Sequence, residues 1–397
     1  MIRREYYIKQ AEKLIDTEFI KVITGVRRSG KSFLLKMIFQ ILRDRKVSAE
    51  NIMYINFEHP DYFKYDTHEK LYDYIKETIS TDGKCYFLFD EIQEVSEWQK
   101  LINGLRVAYD CDIFITGSNA SLLSGELATY LTGRYLELKM YTLSFREYLT
   151  FKALDDFEGQ RYIQDYLTFG GFPSVVLQKD DTLKKDVLSG IYNSILYRDV
   201  TKRAVVKEPE ILNRVATYLL DNVGQLVSTN KIANTIRSTG RKVSNATIES
   251  YIQLLEDSFL FYKASRYDIR GKELLKSQAK YYTVDLGLIT SQLHKPMANR
   301  GTKVENLVFL ELKRRGYGVF VGKYDTKEID FVASKYDEVL YIQVTDRLPE
   351  HSTRETDNLL HLPTGHKKIV ITNSWDDVGQ IDGVDIIHLT DFLLEGV

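Results

Sequence analysis

Residues 25–32 read Gly25-Val26-Arg27-Arg28-Ser29-Gly30-Lys31-Ser32 and hold the densest chemistry in the chain. Two glycines let a backbone curl until its N–H groups point at phosphate oxygens. Lys31 places a point charge on terminal phosphates, and the Ser32 hydroxyl can ligate Mg2+. A helix opening after the loop offers its positive end to the same anion. The pattern G-x-x-x-x-G-K-[ST], with a strand-like run before it and a helical stretch after it, points to a nucleoside triphosphate such as ATP. An idle glycine-rich turn is the plain alternative, and the strand–loop–helix setting argues against it.

A second stretch supplies the acidic partner. In "KCYFLFDEIQEV" an apolar run ends in Asp90-Glu91. Asp90 at a strand's C-terminal end would hold the Mg2+ that Ser32 touches, and Glu91 can polarise a water in line with the γ-phosphate. A helix-capping Asp followed by a solvated Glu is the bland alternative. The run Asp112–Thr116 leads into "TGSNA", where Ser118 or Asn119 could reach the same water, or where the residues merely make an Asx turn. Arg134 in "LTGRYLEL" is a candidate arginine finger or an ordinary surface arginine. Arg27 and Arg28 must point away from bound phosphates or toward a neighbour.

These side chains need a frame. Strand-like runs at Phe19–Thr24, Asn51–Phe57, Cys85–Asp90, Asp112–Thr116 and Tyr135–Lys139 alternate with helical periodicity, as in Ser32–Arg43. That alternation predicts an α/β fold with a parallel sheet covered on both faces. From about 144 to 205 strands vanish, with Gly170-Gly171 ending one helix and Pro173 blocking its resumption. Residues 210–223, 228–238 and 244–259 read as three helices, with Ser228 and Ser244 as N-caps and Ile248, Ile252, Leu255 and Phe259 as a buried stripe. "LFYKASRYD" and "KYYTVDL" follow as a hairpin, the outline of a winged helix-turn-helix.

Composition narrows the classes. A length of 397 residues predicts two to four domains. The net charge of −2 means that any nucleic-acid surface is local. Cys85 and Cys111 are the only cysteines, too few for a disulfide framework or a Cys-based zinc site. The charge-free stretches Ile113–Gly125 and Tyr166–Gln178 fall short of the ~18 residues of a membrane helix. With no apolar signal core at the N-terminus, a cytoplasmic location without membrane contact is expected.

The ordered set "GVRRSGKS", "FLFDEIQ", "ITGSNASLL", "GRYLEL", "LSFREYL", "FGGFP" and "YRDV" resembles the archaeal- and bacterial-type AAA+ ATPases that end in a restriction-nuclease-like domain. The resemblance spans essentially the whole chain. It implies a five-stranded P-loop NTPase core (1–143), a helical lid (144–207), a winged helix (208–292) and a PD-(D/E)xK-like module (293–397). It also implies that Lys31 and Ser32 contact nucleotide, Asp90 holds Mg2+, Glu91 activates water and Ser118–Asn119 form the sensor.

Residues 225–280 carry ten Lys/Arg against five acids, a local excess that favours double-stranded DNA as a partner. Arg241 and Lys242 ahead of the third helix, with Arg270 and Lys272 at the hairpin tip, would be the phosphate contacts. A protein partner is the alternative, since the third helix bears Glu249, Glu256 and Asp257. In the last module the restriction-endonuclease resemblance places the helix acid at Glu305 and the strand Asp at Asp330. Its third-strand E-x-K positions fall on Gln343 and Thr345. Losing a charge and the lysine predicts loss of nuclease chemistry, unless a basic residue such as Arg354 substitutes in space. The expected function is Mg-ATP hydrolysis driving movement coupled to DNA or another macromolecule, with a homo-oligomer as the candidate assembly. A slow nucleotide switch recruiting a protein is the second reading, and an Asp-Glu pair followed by so much chain argues against a small-molecule kinase.

Overall fold

The computed structural model describes residues 2–123, 133–201, 206, 208–293, 300–349 and 354–395. The chain forms two compact units, residues 1–141 with Asp257–Phe259, and residues 142–256 with 260–397. The expected boundary at 143/144 lies beside this division, whereas those at 207/208 and 292/293 fall inside the second unit.

In the first unit, helix α1 (Glu5–Leu14) precedes β1 (Ile20–Thr24), α2 (Lys31–Asp44), β2 (Ile52–Asn56), α3 (His68–Thr78), β3 (Cys85–Asp90), α4 (Trp98–Ala108), β4 (Cys111–Gly117) and β5 (Tyr135–Lys139). The five strands pair in parallel in the order β2-β3-β4-β1-β5. Strand alternation divides the core into two layers. Val22, Ile55, Phe87, Phe89 and Ile115 pack with Leu71, Ile75, Leu101 and Leu105 of α3 and α4. On the other face Ile23, Leu88 and Phe114 meet Ile8 and Ala11 of α1 and Leu34, Leu35, Ile38 and Leu42 of α2. The result is the predicted five-stranded parallel α/β sheet, with the C-terminal ends of β1, β3 and β4 side by side.

The second unit begins with α5 (Phe145–Lys152), α6 (Gly159–Phe169), α7 (Pro173–Val176) and α8 (Asp181–Ser194), continued by a π-helical turn at Ile195–Val200. Ser144 and Glu147 close a capping box on α5. Pro173 does not block helix, as expected, but opens α7 at its first turn, where its missing N–H costs nothing. The "FGGFP" motif is a docking point: the Gly171 amide donates to Asp285 Oδ2 at 2.8 Å, and the Gly287 amide to Asp285 Oδ1 at 2.9 Å. A Cβ on Gly170, at φ +72°, would lie 1.7 Å from Asp285 Oδ1.

Helices α9 (Pro209–Asp221), α10 (Thr229–Arg237) and α11 (Asn245–Asp257) follow, with the short β6 (Leu226–Val227), then the antiparallel hairpin β7 (Phe261–Asp268) and β8 (Glu273–Thr283). Ser244 caps α11 through the Thr247 amide at 3.0 Å, whereas Ser228 makes no side-chain cap. The buried stripe of α11 is Ile248, Tyr251, Ile252 and Leu255, and Phe259 lies beyond the helix at φ +58°. After α12 (Leu286–Gln292) come α13 (Arg300–Arg314), β9 (Gly318–Tyr324), β10 (Lys327–Lys335), β11 (Glu338–Thr345), α14 (Arg354–Leu360), β12 (Lys367–Thr372), β13 (Gly379–Ile381), β14 (Val384–His388) and α15 (Leu389–Leu394). The hairpin is not a free wing. Parallel pairing of β7 with β9 makes one nine-stranded sheet, β13-β14-β12-β11-β10-β9-β7-β8-β6. Two stretches expected as separate modules therefore share a backbone ladder.

Candidate nucleotide site

The loop after β1 has the backbone that its glycines require. Gly25 sits at φ +144° and a Cβ there would meet the Met140 carbonyl at 2.1 Å, while Gly30 at φ +106° opens α2. Val26 and Ser29 are fully buried. Arg27 turns out of the loop to Glu58 at 2.9 Å, and Arg28 is exposed at φ +65°. Both arginines point away from the curl.

Lys31 is buried and donates to the carbonyls of Gly25 at 2.9 Å and Val26 at 3.2 Å. Its ammonium also lies 3.7 Å from a Glu91 carboxylate oxygen. Ser32, one residue into α2, is half-buried.

Asp90 ends β3 fully buried. Its Oδ1 accepts from the Thr116 hydroxyl at 2.6 Å, and its Oδ2 has no hydrogen-bond partner. Burial raises its pKa, against the Thr116 and Ser32 hydroxyls and the Lys31 ammonium, which favour the charged form. Glu91 follows in a left-handed conformation, φ +57°, which swings it out of the strand. Its amide donates to the Thr116 hydroxyl at 2.9 Å, and Gln93 donates to its carboxylate. Ser118 and Asn119 lie buried just past β4, beside the end of β3.

Lys31, Asp90 and Glu91 thus meet at one sheet edge, with Ser118 and Asn119 at the end of the adjoining strand. The unpartnered Asp90 Oδ2 and the unpartnered buried Ser29 hydroxyl are the donor set that a metal-bound phosphate would complete.

Arg134 does not join them. It precedes β5 and its carbonyl accepts from the Ile20 amide, at the N-terminal end of β1, whereas the phosphate loop leaves the C-terminal end. A strand of five residues, roughly 16 Å, separates the two edges. The catalytic role expected of Arg134 is not met within one chain.

Two residues were invisible to motif reasoning. Thr116 orients Asp90 and Glu91 together, and its signal was a hydroxyl at the C-terminal end of the apolar run Ile113–Ile115. Arg4 is buried before α1 and donates to the carbonyls of Ser29 and Tyr141, each at 2.8 Å, which ties the phosphate loop to the end of β5.

In the second unit, Arg241 pairs with Glu210, Arg270 with Asp325 at 3.0 Å, and Lys242 and Lys272 are exposed. Such exposed pairs hold weakly and can exchange a carboxylate for a phosphate. Glu305 and Asp330 do come together, but Lys280 of β8 sits between them, 3.0 Å from Glu305, 3.0 Å from Glu328 and 3.7 Å from Asp330. The Gln343 side chain, expected to offer a metal a neutral oxygen, is held at both ends: its oxygen accepts the Asp330 amide at 2.7 Å and its Nε2 donates to Glu355 at 2.8 Å. Thr345 turns away to the Arg347 carbonyl. The Arg354 side chain lies outside the described residues. Among the described residues, Glu305, Glu328 and Asp330 do not bring ligand oxygens within 4.8 Å of one another. A divalent metal does not fit this arrangement.

Comparison with known proteins follows the same division. Residues 17–149 match the family described as AAA domain, and residues 160–298 match a domain of unknown function (DUF8612). An uncharacterized protein of Haemophilus influenzae is 50% identical over 398 residues, spanning 100% of this chain and 99% of its own length. The chain belongs to the same family as this protein, and its residues 17–149 form an AAA domain. A further relative, an uncharacterized protein of Methanocaldococcus jannaschii, is 34% identical over 85% of this chain and 77% of its own. The Walker-type ATPase paby2304 of Pyrococcus abyssi shares the fold, with a TM-score of 0.51 at 17% identity over 74% of this chain and 96% of that one. Among the described residues of this AAA-domain chain, no helix is long and apolar enough to cross a membrane.

Proposed function

We propose that this protein binds ATP in the loop Gly25–Ser32 and hydrolyses it to drive a conformational change coupled to DNA or another macromolecule. The observation that carries the reading is the buried Asp90, with one oxygen unpartnered, beside Lys31 and Glu91 at one sheet edge. Asp90 and Ser32 would hold Mg2+, which supplies charge neutralisation on the phosphates. Lys31 exchanges the Gly25 and Val26 carbonyls for phosphate oxygens. That releases Glu91 from its ion pair and frees its carboxylate to orient a water and accept its proton. Ser118 or Asn119 would sense the γ-phosphate. Arg134, remote from its own site, would act only across a subunit boundary in a homo-oligomer.

The helical stretch at 144–207 serves as a lid, residues 208–292 as a winged helix, and 293–397 as a nuclease-like module without nuclease activity. Arg241, Lys242, Arg270 and Lys272 are the phosphate contacts if duplex DNA is the partner. A slow nucleotide switch recruiting a protein is the second reading, favoured by the hold of both Lys31 and Gln93 on Glu91.

Glu91→Gln is the test. It should keep Mg-ATP affinity within a few-fold and lower steady-state hydrolysis by about 100-fold or more. Unchanged turnover removes Glu91 from the reaction, and absence of Mg2+-dependent ATP binding by the unaltered protein removes the site. Duplex DNA added to the same assay separates the readings, because a DNA-coupled motor is stimulated and a protein-recruiting switch is not.

A further inference from the structure

The polar cluster where β8, α13 and β10 meet takes no part in nucleotide chemistry. We infer that the ammonium of Lys280 is the resident cation of this cluster, seated where a divalent metal would have to bind, and that it closes the C-terminal module to metal-dependent phosphodiester chemistry.

Several of the oxygens that a metal would need already face a protein donor. Glu305 Oε1 accepts both Lys280 at 3.0 Å and the Tyr282 hydroxyl at 2.7 Å. Asp330 Oδ2 accepts the Val344 amide at 2.9 Å, and its Oδ1 faces Lys280. The Gln343 oxygen holds the Asp330 amide, which the bulge between Ile329 and Val332 frees from the ladder to β9. A metal wants about six oxygens at roughly 2.0–2.6 Å converging on one point. Here an ammonium occupies the centre, and its side chain is 4% exposed.

Lys280 is suited to stay. Burial alone would strip its proton, but Glu305, Asp330 and Glu328 outweigh that and raise its pKa above the ordinary lysine range. Lys280 and Tyr282 lie two residues apart on β8, so both reach the same face and both engage Glu305. Lys280 does not restore the lysine missing from the third-strand position, because it is ion-paired directly to the carboxylates of Glu305 and Glu328 rather than standing beside a metal that they hold. Its delivery depends on the shared sheet, since β7 joins β8 to β9, the neighbour of β10.

The test removes the ammonium from the full-length, nucleotide-free protein and titrates Mn2+. Lys280→Met should bind one Mn2+ per chain with Kd on the order of 0.1–1 mM, gain thermal stability with Mn2+, and lose both effects when Asp330→Asn is added. The unaltered chain should show neither effect at these carboxylates. Lys280→Gln is a second variant, and if either folds only with Mn2+ present the inference stands. One Mn2+ bound by the unaltered chain and lost in Asp330→Asn alone would overturn it. So would folded Lys280 variants that bind no Mn2+, or variants that stay unfolded in its presence. These readouts need no ATP, so they fail or succeed independently of the nucleotide site.

Discussion

Lys31 and Lys280 are both buried ammonium groups beside carboxylates, one at the C-terminal edge of the five-stranded sheet and one on β8 of the nine-stranded sheet. They differ in what holds them. Lys31 leans on two main-chain carbonyls and one carboxylate at 3.7 Å, while Asp90 next to it keeps an oxygen without a partner. Lys280 has carboxylate oxygens of Glu305 and Glu328 at 3.0 Å and of Asp330 at 3.7 Å. A phosphate can outbid neutral carbonyls for an ammonium, because charge-assisted hydrogen bonds are about twice as strong. Nothing of like charge can displace three carboxylates. The first site is therefore poised for exchange and the second is shut, although both combine lysine with acids at strand positions.

The strongest way to break this comparison is to delete Lys31. Lys31→Ala should lower Mg-ATP affinity by about 100- to 1,000-fold, the cost of leaving charged phosphates unpaired in a buried cradle. Thermal stability without nucleotide should hardly change, because only carbonyl contacts and one ion pair are lost. Removal of Lys280 should show the reverse, with ATP affinity kept and stability reduced. Fluorescent-nucleotide titration with melting curves on both variants decides it, and equal loss of ATP affinity in both would erase the distinction.

Thr116 sharpens the first half. Its hydroxyl donates to Asp90 and accepts from the Glu91 amide, so one group sets the metal-facing acid and the water-facing acid together. Thr116→Val keeps the shape and removes both bonds, and a buried carboxylate left short of a donor is costly. Hydrolysis should fall about 10- to 50-fold, with a higher Mg2+ requirement and a nearly unchanged affinity for Mg-free ATP. Thr116→Ser should restore most of the rate, which a purely packing role for the γ-methyl would not allow.

Much of this was legible in the residues. The five strands, the phosphate loop and the Asp90-Glu91 pair follow from local spacing, because a βα unit places its chemistry at a strand end fixed by a few neighbouring residues. Arg134 was not placeable, since only the parallel register puts it at the far edge from the loop. Thr116 and Arg4 act through contacts of 26 and 25 residues' separation, and neither has a motif. The fusion of hairpin and C-terminal strands into one sheet was equally hidden, because the β7–β9 pairing spans residues that look like two modules. Arg354, the basic residue expected as a substitute, belongs to the last module, whereas the ammonium among these carboxylates, Lys280, comes from β8.

Asp285 offers the finest test of the idea that the neutralising partner decides what a buried acid can do. It is buried at the "FGGFP" docking point and receives two amides and the Thr142 hydroxyl, with the Arg314 charge as a smaller help. Burial dominates and pushes its pKa up to about 7, against the pull of the Gly171 and Gly287 amides. In the unfolded chain the same carboxyl ionises near its ordinary value of 3.8. The folded form therefore holds a proton that the unfolded form has released at any pH between these values. Its stabilising contribution is complete below about pH 4 and fades as pH rises through 7. Unfolding free energy should fall by about 1–2 kcal/mol from pH 5.5 to 7.5 on this account. Asp285→Asn removes the titrating group, so the chain should lose that part of the slope while keeping an oxygen for one amide. Denaturant melts of both proteins at the two pH values measure the difference, and identical slopes would mean that Asp285 stays ionised in the fold, held by its two amides, the Thr142 hydroxyl and the Arg314 charge.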